Sequence, residues 1–417
     1  MIKLRILPLI LLSIYMSSCS SSGQDDPVTP GPDNPETPKP TPDLVSISFG
    51  GNSGAWQDAP NTRAGKSGLE TLFPSFRVWG YKTTDAEMSA SQTIMSGYNV
   101  LYNSNSAGTS SSNSNEWEYV GVKNDNLSAS QTIKYWDYSA TSYRFFAYSP
   151  SDAKIIITSS TGDNTDGTET SSSTTNLQSF STSFAYSETA TYKDFPYISE
   201  LWFANSNDNN TQENYGKCVT LTFAPIIAKV RFKFTYPEGT TTISIKDIKF
   251  QDSRYINKTT TNGESATAQT PLKGTISVAY PQNGTPASNT PTFSWTTSKE
   301  EGATGSLIFS IPYEDKDTPL HILEDKAQYG KWYFVPPLGL LPKAEAQGSY
   351  TMTARIDGNQ STATVPAEYM QWQPGFQYTY IFKITEAGTL ITFSDLQVEE
   401  WAPGANINNN GTGTEGW

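Results

Sequence analysis

Histidine occurs once in 417 residues, at His321, and cysteine twice, at Cys19 and Cys218. A lone histidine excludes HExxH zinc sites and histidine-rich metal clusters, which need at least two imidazoles. His321 therefore reads as a structural loop residue rather than a catalytic base. Charge is sparse, at 17% of the chain, and 28 basic against 41 acidic residues leave a formal net charge of -13. Binding nucleic acid or an anionic lipid surface needs clustered Lys and Arg, so neither partner fits. No GxSxG, P-loop or GxGxxG motif is present. The segment GDNTDGTE (162–169) is faintly like a calcium loop. With Gly167 as the turn glycine, the first and twelfth ligand positions fall on Gly162 and Ser173, so that reading fails. Nothing singles out a carboxylate pair for glycoside hydrolysis. With no catalytic set, no metal set and no cofactor motif, the chain reads as a non-enzyme.

Aromatic residues, by contrast, make up 12% of the chain, and Ser, Thr, Asn and Gly are frequent. Aromatic and β-branched residues suit pleated, half-buried surfaces, while Asn and Gly suit turns. The composition is that of an all-β protein, and the length suggests two or three domains of roughly 150 residues each.

The N-terminus has a layout of its own. Lys3 and Arg5 precede an apolar stretch from Ile6 to Tyr15, then Ser17 and Ser18 stand before Cys19. That is a secretory signal, residues 1–18, too short to span a membrane. A cysteine directly after the cleavage point marks a bacterial lipoprotein, with Cys19 as the acylated residue. Several acyl chains anchor firmly where one holds only marginally. Asp25 and Asp26 resemble the surface-export signals of Bacteroidetes lipoproteins. Residues 19–43 include PVTPGPDNPETPKPTPD, a proline density that favours polyproline II and cannot form a core. The proline-rich part of this disordered linker, residues 27–43, would reach roughly 50 Å at about 3.1 Å per residue. No later segment is long and apolar enough to cross a membrane. With Cys19 acylated, no intrachain disulfide is possible, and Cys218 reads as a small buried residue.

Strand-like runs then recur with turn signals between them. LVSISFG (44–50) alternates Val45, Ile47 and Phe49, and SFRVWGY (75–81) alternates Phe76 and Val78. YRFFAYSP (143–150) is apolar up to Pro150. VTLTF (219–223) and AKVRFKFTY (228–236) alternate cleanly. TTISIKDIKF (241–250) changes phase between Ile245 and Ile248, which predicts a bulge. YTYIFKITEAGTLITF (378–393) reads as two strands joined at Glu386, Ala387 and Gly388. The polar stretches 104–115 and 160–176 read as surface loops. A third, 206–214, marks a domain boundary, giving two β-sandwich domains at 44–216 and 217–401 and a flexible tail at 402–417.

Several segments together resemble the fimbrillin family of Bacteroidetes, the subunits of type V pili. They are TRAG (62–65) before SFRVWGY, YNVLY (98–102) before WEY (117–119), and KYW (134–136) before YRFFAYSP. ISELWFANSND (198–208), VTLTFAPIIAKVRFKF (219–234) and QWQPGFQYTYIFKI (371–384) leading to Trp401 complete the order. One departure is Pro225, where family members often carry histidine. The resemblance implies two tandem transthyretin-like sandwiches and a surface-exposed lipoprotein of the outer membrane that enters fimbriae. It also implies trimming by a trypsin-like surface protease, which removes the first strand so that a neighbouring subunit fills the groove. Arg63 is the residue carried over as the cleavage site, with Val45, Ile47 and Phe49 as the inward face of the removable strand. Expected partners are other fimbrillin-like subunits, that protease, the outer membrane through the lipid anchor, and a host protein or glycan. The weak alternation in 402–417 makes the tail a poor strand donor and favours the distal tip. A stand-alone glycan-binding surface lipoprotein is the alternative reading.

Overall fold

In the first sheet the central strands are buried on both faces. All eight residues of Ser142–Ser149 are buried, and Trp79, Gly80 and Tyr81 are buried beside Phe76 and Val78. The computed structural model explains this, because the sheet has a hydrophobic core on each face. Tyr143, Phe145 and Ala147 point into one core, while Phe146 and Tyr148 point into the other. A strand covered on both faces reads as a near-continuous apolar run, here broken by the buried Arg144 and bounded by Ser142 and Ser149.

The structure describes residues 44–53, 67–84, 91–102, 116–123, 131–159, 177–206, 212–235, 245–252, 270–281, 289–297, 305–306, 308–310, 328–329, 331–340, 350–356, 359–385 and 390–401. These residues form β-strands joined by turns and a few single-turn 3-10 segments, so the fold is all-β. They all fall within the unit Leu44–Trp417.

The first sheet runs in the order Ser67–Gly68, Phe49–Ser53, Val219–Pro225, Tyr197–Ser199, Ser142–Ser149, Ser75–Thr83, Ser91–Tyr102, Trp117–Glu118, with Trp202–Asn205 also on Ser142–Ser149. Phe49 meets Phe76, Tyr119 and Phe145, which lie far along that order, so the sheet curls around its own core. A second sheet, in the order Thr292–Thr297, Lys273–Ala279, Leu177–Ala185, Ile156–Ser159, covers the other face. There Phe180 and Tyr280 pack on Phe146, with ring centroids 5.6 and 4.5 Å away.

Two further sheets pack face to face. One is built on Ala228–Thr235, Phe376–Ile384 and Ile391–Glu400, the other on Ile245–Asp252, Tyr350–Ile356 and Asn359–Val365. Phe250 sits between them, 4.8 Å from Phe232 and 4.9 Å from Tyr350. The predicted bulge appears as a register shift between Lys246 and Lys249. The two strands read in 378–393 are Phe376–Ile384 and Ile391–Glu400, paired antiparallel.

Some expectations need correction or relocation. Cys218 is only partly buried, because it lies just before the ladder of Val219–Pro225 begins. Pro225 is the last residue of its strand, where a missing N–H does least harm. Val219–Pro225 follows the polar stretch 206–214 yet still pairs within the first sheet. The second sheet likewise joins strands from both sides of residue 216. The loops 104–115 and 160–176, His321, the linker and the tail 402–417 lie outside the described residues.

The cradle of the first strand as candidate functional site

Residues 44–53 carry the site predicted from sequence. Ile47 and Phe49 are fully buried. Val45 does not join them, being 38% exposed, because the sheet ladder begins only at Phe49. Before that point the chain is held by the Ser46–Tyr135 bridge and two flanking backbone bonds. The inward face is therefore Ile47, Phe49, Gly51 and Ser53.

Backbone hydrogen bonds grip this segment from both sides. On one side Phe49–Ser53 runs parallel to Val219–Phe223, and the Val219 N–H donates to the Ser48 carbonyl at 2.8 Å. On the other side the Ile47 N–H donates to the Lys134 carbonyl at 2.8 Å, and the Trp136 N–H to the Val45 carbonyl at 2.9 Å. Farther along, Asn52 and Ser53 pair with Gly68 and Ser67. The segment is thus an interior strand, not an edge.

Side chains shape the floor. Phe49 makes edge-on contacts with Phe76 at 6.0 Å and with Tyr119 and Phe145 at 5.7 Å each, the arrangement that aromatic quadrupoles favour. Gly51 stands where the cradle narrows. A Cβ there would lie 3.1 Å from Leu69 Cδ2 and 3.3 Å from Trp117 Cζ2. The Tyr119 hydroxyl accepts from the Lys134 N–H at 2.9 Å and donates to the Ile47 carbonyl at 3.0 Å. Burial pushes the Tyr119 phenol well above its ordinary range, so it keeps the proton it donates.

The wall that carries Lys134 is itself fixed. The buried Gln131 side chain accepts from the Asn99 N–H at 2.6 Å and donates to the carbonyls of Asn99 and Tyr119 at 2.8 and 2.9 Å. Beyond it, Lys82 donates to Asp137 at 2.7 Å. That bond, with help from Ser139, holds the Asp137 carboxyl down at about 2.

Arg63 and Cys19 lie outside the described residues. The stretch 54–66, which contains Arg63, connects Ser53 to Ser67, and these two residues are cross-strand partners. Sequence reasoning missed Tyr119, Trp117, Lys134 and Gly51 as parts of the site. The WEY and KYW segments were visible, but nothing local tied them to residues 44–53.

Comparison with known proteins follows the same lines. The family model described as fimbrillin-like matches residues 62–401. The chain belongs to the fimbrillin-like family. Family membership gives this fimbrillin-like chain a cell-surface, structural role. Among solved structures, a candidate cell adhesion protein from Bacteroides uniformis is 11% identical with a TM-score of 0.38, covering 87% of this chain and 100% of that one. A second such protein, from Bacteroides ovatus, is 11% identical with a TM-score of 0.40, covering 86% and 98%. A candidate polysaccharide-binding protein from Bacteroides thetaiotaomicron is 10% identical with a TM-score of 0.38, covering 86% and 96%. No curated protein matches the fimbrillin-like chain.

Proposed function

We propose that this chain is an outer-membrane lipoprotein, held by acyl groups on Cys19, that enters fimbriae as a subunit by protease-triggered strand exchange. One observation carries this reading. The interior strand Phe49–Ser53, with Ile47 and Phe49 fully buried, is joined to all later residues only through the stretch that holds Arg63.

On this reading a trypsin-like protease at the cell surface cuts after Arg63. The segment before the cut is then held by hydrogen bonds and apolar packing alone. The same cut separates the folded part from the anchor at Cys19. Departure of the strand exposes apolar floor residues and orphans backbone groups on two neighbours, a state that recruits a new strand. A strand of another fimbrillin-like subunit completes the sheet by β-augmentation. The division into sandwich domains at 44–216 and 217–401 belongs to this reading, with Val219–Pro225 as the second length's contribution to the cradle. A host protein or glycan would meet the assembled surface.

Limited trypsin digestion of the mature protein, followed by mass spectrometry and size analysis, tests it. The first cut is expected after Arg63 or Lys66, followed by formation of larger species. A first cut inside 219–250 or 371–393, or a cut product that stays monomeric with its strand retained, defeats the proposal.

A further inference from the structure

We infer that the cradle selects its incoming strand by a side-chain code, aliphatic-x-aromatic-x-glycine-x-small, and that this code excludes the chain's own last described strand. The inference rests on the strand-exchange reading above and names the partner that reading leaves open.

The code follows from the four inward positions. Ile47 is fully buried beneath the hydroxyl of Tyr119, which spans to the Ile47 carbonyl. An aliphatic residue fills that place. Phe49 is enclosed by three aromatic rings. A residue smaller than an aromatic one leaves a cavity among rings that cannot collapse together. Gly51 faces Leu69 and Trp117 so closely that one added carbon makes them give by a few tenths of an ångström, and a branched side chain demands more. Ser53 is fully buried, so a small residue is required there as well. The outward Val45 is exposed and carries no information.

The strand Ile391–Glu400 begins with the right pair. Ile391 and Phe393 match Ile47 and Phe49 in spacing and type. In its own sheet a bulge at Ser394 leaves Asp395 exposed, but seated as a regular strand it would press the Asp395 carboxylate against Leu69 and the Trp117 ring and place Gln397 where Ser53 sits. Burying an unpaired carboxylate among apolar groups is strongly unfavourable. A second copy of this chain is therefore not the donor through that strand. The occupant is a strand from a different subunit that carries glycine two residues after its aromatic.

The experiment uses the full chain with a specific protease sequence inserted in 54–66 and cut, so that the native strand remains seated but exchangeable. Labelled peptides compete for the cradle under mild destabilisation, and incorporation is measured. The peptide of residues 44–53 is expected to enter. Its Val45→Ser form should enter equally well, and its Gly51→Val form at least about tenfold less well. The Phe49→Ala form should be weaker by about a hundredfold or more, the equivalent of emptying a buried phenyl site. The peptide of residues 391–400 is expected to fail, and its form carrying both Asp395→Gly and Gln397→Ser to gain entry. If the 44–53 peptide itself never enters, the strand-exchange reading falls. If it enters and the Phe49→Ala or Gly51→Val form enters as well, or the unaltered 391–400 peptide does, the code is wrong while exchange stands.

Discussion

Tyr119 donates its hydroxyl hydrogen to the carbonyl of Ile47 at 3.0 Å, across 72 residues of sequence. The same oxygen accepts from the Lys134 N–H at 2.9 Å. One buried phenol thus ties the first strand to the wall beside it, and both of its bonds are to backbone groups.

Tyr119→Phe leaves the ring in place and removes the hydroxyl's bonds to the Lys134 N–H and the Ile47 carbonyl. A loss of about 1–3 kcal/mol is expected, the cost of an unsatisfied buried polar group. Denaturant titration at neutral pH measures it. A change below about 0.5 kcal/mol would mean that water or a neighbour replaces the hydroxyl.

Phe49→Ala should cost about 3–5 kcal/mol, since its three ring partners are themselves buried and cannot close the gap. Val45→Ala, four residues earlier, should change stability by less than about 0.5 kcal/mol. The pair is a direct check on the corrected inward face. Equal effects at the two positions would contradict it.

The Lys82–Asp137 pair gives a pH dependence with a definite sign. Its carboxyl is held at about 2, below the ordinary carboxylate value. The contribution is present in full above the unfolded value near 4 and is lost as pH falls toward 2. The carboxylate is about a third exposed, so the effect is small, of the order of 0.2–1 kcal/mol. Asp137→Asn should melt slightly lower than the parent at pH 7, and the two should converge below about pH 2. A gap that persists at pH 1.5 would locate the effect elsewhere.

Cys19→Ala should abolish acylation, since no other residue can accept the lipid, and should shift the uncut protein out of the membrane fraction or leave it unprocessed. Labelled palmitate incorporation and fractionation report this. Membrane retention by the mutant, with no label in the parent, would overturn the lipoprotein reading.

Much of this molecule is written in short-range pattern. Alternation at Val219, Leu221 and Phe223 and at Val230, Phe232 and Phe234 places those residues on one face each, and the structure buries them. The phase change before Ile248 shows as the bulge. The order of aromatic segments leads to the fimbrillin-like family. Pattern of this kind is a property of the strand itself, because side chains alternate whatever the strand pairs with.

What pattern does not carry is the identity of the neighbour. That Phe49–Ser53 runs parallel to Val219–Phe223, with the segment 131–136 on its other side, depends on which distant surfaces fit. The exposure of Val45 and the two-faced burial of Ser142–Ser149 follow from that fit. The need for glycine at position 51 likewise appears only once Leu69 and Trp117 stand against it. Local sequence determines which side chains share a face. Only the folded chain decides what that face meets, because ladder bonds are the same for every backbone and the choice among partners rests on long-range packing.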